Sequence, residues 1–475
     1  MSPAVFTAER ACHYCWIRKQ RCDKLLPQCS RCCSKFVRCK YDDLDRAISS
    51  KFTGPTSADL LIRRDPCGFD ISPSGERQLL WAACDYESRT AEGETCPRLV
   101  RSILEASGTW PHELTNTYFA YMHPWFPILN PGEIHAGVHS FGTSGEPYYQ
   151  ALAVVFLGMS LLNHPTCNHP NHPAGSGLYR TTRRLFLMLQ LPTREKLVLL
   201  YAGLLVAAYE CGHGMSEQAY ATLATCIGMV QQLSASDAPL VGHQFQDKLN
   251  LCWCSIVLLD RTIALSNPGA RLPMLVHGCQ FSPSVDFLKT LIIPDENLMD
   301  LVDRFRARAK SALLIGDKLS AVSDNTSFAD IAAAEAVLHN LVREHAKQSR
   351  EASYPSCEGI SMALSAVVSM YKTTKRQNNL GENPKLALDI RFAYNIVFDM
   401  CRVEGSLIRS RGPRTQCVWF TGLACLYHAA IELNDVYLDG LLSEDFDQLR
   451  ENLRAFGSYW GIGGEYLIEC LSLSR

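Results

Sequence analysis

The hydrophobic residues of this chain recur mainly at helical spacing, and two uninterrupted apolar runs stand out among them. The runs cover residues 151–162 and 197–209 and are 12 and 13 residues long. They are too short to cross a bilayer, so they predict buried helices and no membrane partner. Elsewhere the apolar residues return every three or four positions, as in the stripe Leu298, Leu301, Val302, Phe305, Ala309, Ala312 and Leu313. Such a period is typical of a helix with one buried face.

The same period predicts further helices along most of the chain. They fall at about residues 198–209, 217–233, 247–265, 358–376, 385–408 and 415–434. A second apolar stripe, from Phe328 to Val342, follows a capping box formed by Ser327 and Asp330. No series of strands and hairpins competes with these helices. Residues 95–475 are therefore predicted to form an all-α helical domain.

Residues 44–94 are predicted to be a linker that precedes this helical domain. Glycine and proline residues punctuate the stretch up to about residue 75. Residues 44–75 carry no sustained heptads, so they do not predict a coiled coil that would join two chains. If the protein forms a homodimer, we therefore expect the two chains to associate through their helical domains.

The charge of the chain is unevenly distributed, although its formal net value is only −2 over 475 residues. Residues 1–43 carry nine basic and four acidic residues, so the remainder carries 37 basic and 44 acidic ones. Basic patches are the electrostatic mark of nucleic-acid binding. This asymmetry confines nucleic-acid binding to the N-terminal segment and argues against a body that coats DNA.

Six cysteines in this basic segment follow the pattern C-x2-C-x6-C-x6-C-x2-C-x6-C. They are Cys12, Cys15, Cys22, Cys29, Cys32 and Cys39. Two tetrahedral zinc ions need eight ligand positions, and six thiolates fill them only if two thiolates bridge both ions. The spacing therefore predicts two zinc ions per chain. Cys33 is interpreted as a bystander thiol, and the competing interpretation of the motif is another zinc module that binds protein or RNA.

The residues around these cysteines resemble the fungal zinc binuclear cluster family of transcription factors. The positions that carry the resemblance are Ala11, Arg18-Lys19-Gln20-Arg21, Asp23, Pro27 and Tyr41. The resemblance implies that residues 1–43 are a DNA-binding domain in which Cys12 and Cys29 bridge the two ions. Two positions depart from the family pattern, because Trp16 stands where arginine is frequent and His13 where aspartate is frequent.

The resemblance also implies how this module contacts DNA. Lys19 occupies the position that reads bases in the major groove, typically those of a CGG triplet. We expect Arg18, Arg21 and Lys24 to hold phosphates. The departures at Trp16 and His13 leave the metal ligands intact and affect the neighbouring phosphate contacts.

The helical domain carries a second resemblance, to the fungal transcription factor regulatory domain, also called the middle homology region. Residues 118–129, with the sequence YFAYMHPWFPIL, look like the helix and proline-rich corner that open it. The Leu251-Cys252-Trp253 segment, the Leu258-Leu259-Asp260-Arg261 segment and the stretch from Gly269 to Pro273 are similar to its later part. The match covers about residues 111–290.

Together the two resemblances imply a nuclear regulator of RNA polymerase II genes that binds double-stranded DNA and the transcription machinery. Such proteins often control a biosynthetic or catabolic gene set in fungi, including secondary metabolism. A small-molecule effector held by the helical domain is a further candidate partner. The alternative is a zinc-stapled scaffold that contacts protein or RNA and has no sequence-specific DNA readout.

Other candidate chemistry in the chain has simpler interpretations. Asp260 beside Arg261 is interpreted as an ion pair that fixes packing, in preference to a catalytic acid beside an anion clamp. His164, Cys167, His169 and His172 crowd a proline-rich stretch that predicts an exposed loop, with a second metal site as the alternative. The chain has no phosphate-binding loop, no G-x-S-x-G and no H-E-x-x-H motif, so no enzyme is predicted.

Overall fold

The computed structural model of the chain is divided into two compact units, residues 1–61 and 62–475. It describes residues 11–25, 29–35, 61–65, 68–84, 95–143, 146–163, 175–190, 195–235, 243–266, 272–276, 287–291, 300–321, 333, 336–343, 356–377, 384–410, 419–436 and 443–473. The described part of the first unit contains two short helices, α1 (His13–Ile17) and α2 (Ser30–Ser34). The domain boundaries expected from the sequence stay predictions.

The second unit is built from helices, with one small sheet at its start. The sheet consists of β1 (Ile62–Asp65) and β2 (Gly68–Ile71). The helices are α3 (Pro73–Cys84), α4 (Cys96–Ser107), α5 (Pro111–Tyr121), α6 (Pro131–Ser140), α7 (Pro147–Asn163), α8 (Gly177–Leu189), α9 (Lys196–Gly212), α10 (Ser216–Ala235), α11 (His243–Ser266), α12 (Leu301–Ala321), α13 (Ser356–Gln377), α14 (Pro384–Ser410), α15 (Phe420–Val436), α16 (Ser443–Gly457) and α17 (Gly461–Leu473). The helical character expected for this part of the chain is confirmed.

The two uninterrupted apolar runs form the centre of the helical unit. They lie in α7 and α9, which pack against each other, and nearly every side chain of both runs is buried. Helix α9 also contacts α10 and α11, so it is surrounded by other helices. A helix that is apolar on all sides requires this position, because no face of it gains from contact with water. The prediction that these runs are buried helices is confirmed.

Helices with a single apolar stripe lie around this centre. In α12 the predicted stripe faces inward, because Phe305, Ala309, Ala312 and Leu313 are all at most 1% exposed. Leu298 and the capping box of Ser327 and Asp330 lie outside the described residues. The proline-rich corner after α5 is fixed by the Tyr118 hydroxyl, which donates to the Phe126 carbonyl at 3.0 Å.

Several helices begin where a polar side chain can accept from their free N–H groups. Thr95 accepts from Arg98 N at the start of α4, and Asn130 accepts from Glu133 N at the start of α6. Proline follows both caps, at a position where no N–H is needed. These local signals set the helix starts independently of the tertiary packing.

The β-hairpin and α3 lie within residues 44–94, the range for which the sequence predicts a linker. The strands pair antiparallel with Ile62 opposite Ile71. The Asp70 carboxylate accepts from the backbone N–H groups of Gly177 and Leu178 at 2.9 and 2.6 Å, so it caps α8 from 107 residues away. The hairpin is thereby fixed to the N-terminus of α8.

Replacing Gly177 with alanine is expected to weaken this docking. A Cβ atom at Gly177 would lie 2.1 Å from the backbone oxygen of Ile71, so the strand and the helix would have to move apart. We expect a loss of about 1–3 kcal/mol in the free energy of unfolding, measured by urea denaturation. The matched control is Gly175→Ala, since nothing lies within 4 Å of a Cβ atom there. Equal stability of both variants would contradict the docking.

One described helix, α11, is long and apolar enough to cross a membrane by length and composition. Its mean hydropathy reaches 1.4 over the most apolar window, and 83% of that window is buried inside the protein. Such burial is what a core helix of a helical domain shows.

Candidate metal centre and basic surface

Four cysteine thiols converge at one point of the first unit. Cys12, Cys15, Cys29 and Cys32 are fully buried, and their sulfur atoms all lie within 4.8 Å of one another. The Sγ–Sγ distances are 3.8 Å for Cys12–Cys29, 3.6 Å for Cys12–Cys32 and 3.8 Å for Cys15–Cys29. A tetrahedral zinc ion with Zn–S bonds of about 2.3 Å separates its sulfur ligands by about 3.8 Å. The thiol donors therefore fit zinc, whereas a disulfide needs a separation of about 2.0 Å.

Helix α1 carries the first two of these thiols and ends in a tight cap. Cys12 is its N-cap residue, and Cys15 lies one turn further on. At the other end, Lys19 N donates to the Trp16 carbonyl at 3.0 Å and Gln20 N donates to the Cys15 carbonyl at 2.8 Å. This pair of bonds is the Schellman motif, in which the residue after the C-cap adopts a left-handed conformation. Lys19 has that conformation, with φ of 49°.

Cys29 directly precedes helix α2, Cys32 lies within it, and the start of the helix is fixed by Asp23. The Asp23 carboxylate oxygens accept from the backbone N–H of Ser30 at 3.0 and 3.2 Å. The hydrogen bond with Ser30 lowers the pKa of Asp23, since it favours the ionised carboxylate. Asp23 directly follows Cys22, so this cap also ties the segment of the third cysteine to α2.

Of the two remaining predicted ligands, the structure describes Cys22 but not Cys39. Cys22 is half-buried and belongs with Asp23 and Cys29 to a second group of potential metal ligands. Cys39 lies outside the described residues. The structure thus describes five of the six predicted zinc ligands and brings all five into two overlapping groups that could hold metal. The number of ions stays a prediction.

Cys29 is common to both groups. Its sulfur contacts those of Cys12 and Cys15 and also accepts from Cys32 N at 3.4 Å. Burial by itself would raise the pKa of Cys29, but the Cys32 N–H and the neighbouring thiols outweigh it and lower the pKa to about 6. Burial and hydrogen bonds with Cys12 and Cys29 raise the pKa of Cys15 to about 12. Because zinc binds thiolates, metal binding at this site would release protons from these thiols.

The four predicted DNA-contacting residues lie on the segment that follows the first two cysteines. Arg18, Lys19 and Arg21 are exposed, and Lys24 is half-buried with a left-handed φ of 61°. The Arg18 guanidinium lies 4.7 Å from the centre of the Tyr14 ring, which supports it from α1. Their contacts with DNA stay predictions.

A hydrogen bond that joins α2 to the cap of α1 gave no signal in the sequence. The Arg31 guanidinium on α2 donates to the Gln20 side-chain oxygen at 3.1 Å, directly beyond the cap of α1. Spacing alone could not show this contact, because the two residues are not metal ligands. The function of Asp23 as a cap was also missed, although its place after the third cysteine is part of the family pattern.

The candidate acid in the helical unit proves to be a packing element. Asp260 and Arg261 are at most 1% exposed and form an ion pair with each other. The Asp260 carboxylate also accepts from the backbone of Leu275 and Val276 at 2.9 and 3.1 Å. The structural interpretation of this pair is confirmed. The segment with His164, Cys167, His169 and His172, for which the sequence predicts a loop, lies outside the described residues.

A second buried carboxylate, Glu210 on α9, gave no signal in the sequence. It accepts from the Tyr179 hydroxyl at 2.7 Å, and the Arg183 guanidinium lies 3.2 Å away. Burial raises its pKa to about 7, against the opposing effect of these partners. A single glutamate directly after an apolar run has no pattern that could distinguish it.

Comparison with known proteins relates the chain to a transcription factor. The chain is similar to Transcription factor BOA15 of Botryotinia fuckeliana (strain B05.10), with 30% identity over 132 residues. The matched region covers 27% of this chain and 71% of that protein. No family model matches the chain. No solved structure matches it either.

Proposed function

The chain belongs to the same family as this Botryotinia transcription factor, and we propose on that basis that it is a zinc-dependent, sequence-specific DNA-binding regulator of transcription. The relative supports the general role of a transcription factor and is consistent with a protein that is not an enzyme. The observation that carries the finer proposal is the convergence of buried thiols at zinc-ligand distances beside a basic surface.

In this proposal the thiolates hold two zinc ions. Cys12, Cys15, Cys22 and Cys29 would hold one ion, and Cys12, Cys29, Cys32 and Cys39 the other. The contacts of Cys12 with both Cys29 and Cys32, and of Cys29 with both Cys12 and Cys15, support these two as the bridging ligands. Zinc would supply structural cross-links only, since a site with four thiolate ligands leaves no open position for a substrate.

The cross-linked module would present α1 and its cap to DNA. Lys19 would donate to guanine acceptors in the major groove, while Arg18, Arg21 and Lys24 would bind phosphates. The left-handed cap supports this assignment, because it places Lys19 directly beyond the end of a helix whose cysteines are anchored in the thiol cluster. Short helices of this kind are a common means of entering the major groove.

The proposal extends to the setting of the protein. We place it in a fungal nucleus, where it would regulate the RNA polymerase II genes of one biosynthetic or catabolic pathway through CGG-type half-sites. The transcription machinery would be its protein partner. Dimer formation through the helical unit and a small-molecule effector there stay predictions.

This function can be tested by letting the full-length chain select DNA duplexes from a random pool. The most informative variant for comparison is Lys19→Ala. We expect the wild-type protein to enrich a CGG-containing sequence, because bidentate contacts with guanine discriminate between bases. Lys19→Ala should bind the enriched duplex about 1–3 kcal/mol more weakly and lose much of its preference over other duplexes. Fluorescence anisotropy at fixed salt measures both.

Lys35→Ala is the matched control, since it removes the same charge from an exposed lysine just after α2. It should weaken all duplexes alike, if at all, and leave the preference unchanged. Equal losses on every duplex for Lys19→Ala would show that Lys19 contacts only phosphates. If the wild-type protein enriches no sequence and binds only weakly at low salt, the scaffold alternative is favoured.

A further inference from the structure

Helix α1 exposes two large apolar side chains on the proposed DNA-binding module. Trp16 is 70% exposed and Ile17 is 59% exposed. The same helix segment carries Cys12 and Cys15, which are buried in the thiol cluster. The orientation of α1 is therefore fixed, and Trp16 and Ile17 are held on its outer face. Trp16 and Ile17 are adjacent, so together they form an exposed apolar patch on a small basic module, and such a patch is a candidate contact surface.

The cations beside these side chains limit what can cover them. Lys19 lies three residues after Trp16, in the cap that ends the helix, and its N–H donates to the Trp16 carbonyl at 3.0 Å. Arg18 follows Ile17 and is exposed. A partner that packs on Trp16 must therefore accept two positive charges at its rim. The major groove of DNA meets both requirements, because it presents the apolar thymine methyl group between two rows of phosphates.

We propose that Trp16, with Ile17 beside it, packs against the 5-methyl group of a thymine next to the guanine that Lys19 reads. This inference rests on the proposed function and adds a specificity determinant to it. Trp16 stands where arginine is frequent in the family that the module resembles. The neutral indole releases no counterion, so it would exchange a salt-sensitive phosphate contact for a contact that selects one base.

Removal of single thymine methyl groups tests the proposal. The full-length zinc-loaded chain is titrated with duplexes that contain one CGG triplet flanked by A·T pairs, in which each thymine in turn is replaced by deoxyuridine. We expect one position at which the wild-type protein binds about fourfold more weakly, the effect of one lost buried methyl group. Trp16→Ala should bind the parent duplex roughly tenfold more weakly and show no sensitivity at that position.

Trp16→Arg provides a second readout. The arginine should restore binding through a phosphate, so the slope of log affinity against log salt should become steeper by about 0.9, with deoxyuridine remaining without effect. Trp81→Ala is the matched control, since Trp81 is 74% exposed but lies on α3 in the other unit. It should match the wild-type protein on every duplex.

The outcomes separate the two proposals. If the wild-type protein prefers the CGG duplex and no deoxyuridine position weakens binding, the thymine contact is overturned and the proposed function stands. Weaker binding by Trp16→Ala without any sensitive position also overturns it, because the indole would then pack on the sugar. If the wild-type protein prefers no duplex, both proposals fail.

Discussion

Replacing Cys29 with alanine is expected to remove zinc from the N-terminal module and to abolish sequence-specific DNA binding. The Cys29 sulfur lies 3.8 Å from those of both Cys12 and Cys15 and accepts from the Cys32 N–H. In the proposed arrangement it is a ligand of both ions, so its loss opens both sites at once. In the part of the module that the structure describes, the cysteines themselves form the buried cluster, and small zinc modules unfold without their metal.

Metal analysis and DNA titration of the full-length variant measure this effect. We expect two zinc ions per chain in the wild-type protein and none in Cys29→Ala, and a loss of about a thousandfold or more in affinity for the preferred duplex. Cys84→Ala is the matched control, because Cys84 is an exposed thiol on α3. It should keep both ions and full affinity.

The helical unit should be unaffected by Cys29→Ala, since it forms a separate compact unit. Far-UV circular dichroism should therefore remain close to that of the wild-type protein, which excludes general misfolding as the cause. A Cys29→Ala protein that retains two zinc ions would contradict the assignment of Cys29 as a bridging ligand. A single zinc ion in the wild-type protein would contradict the binuclear cluster itself.

The convergence of the thiols could be predicted from the sequence because local geometry determines it. Two residues between Cys12 and Cys15 place both sulfurs on one side of a helical turn, and the same holds for Cys29 and Cys32. The apolar runs of α7 and α9 were equally predictable, since a predominantly apolar segment without charged residues gains from complete burial. The thiols of each pair are close in sequence, and the residues of each run share the same apolar character, so a local pattern reveals both.

The docked hairpin could not be predicted in this way. Its strands are four residues each and lie among glycines and prolines, which are typical of a linker. What fixes them is the capping of α8 by Asp70, a contact between residues 107 positions apart. No local pattern indicates which helix a lone aspartate will cap. The exposure of Trp16 gave no local signal either, because it depends on which residues outside α1 pack beside it.

Arg261 was identified by its neighbour Asp260, yet its other partners depend on the tertiary structure. Its guanidinium donates to the Ala312 carbonyl at 3.2 Å, which joins α11 to α12. A Cβ atom at Gly316 would lie 1.9 Å from Arg261 Nε, so the backbone of α12 covers the guanidinium closely. The sequence could show that Asp260 and Arg261 are neighbours. It could not show that α12 buries the pair, which is why breaking the pair should lower the free energy of unfolding strongly.

Replacing Asp260 with alanine is therefore expected to destabilise the helical unit strongly. The change removes the carboxylate that is paired with the buried charge of Arg261, and it removes the acceptor of the Leu275 and Val276 N–H groups. Loss of one partner from a buried ion pair costs about 3–5 kcal/mol. We expect a matching fall in the urea midpoint of the full-length chain, followed by far-UV circular dichroism.

Asp247→Ala is the matched control, because it removes a carboxylate from the same helix, α11. Asp247 pairs with Arg306 at 3.0 Å, but its side chain is 62% exposed. Exposed ion pairs contribute about 1 kcal/mol at most, so this variant should stay near the wild-type midpoint. Similar midpoints for the two variants would show that water reaches Arg261 and that the buried pair does not fix the packing of α11 on α12. A large fall for Asp260→Ala alone would support burial, rather than charge loss, as the cause.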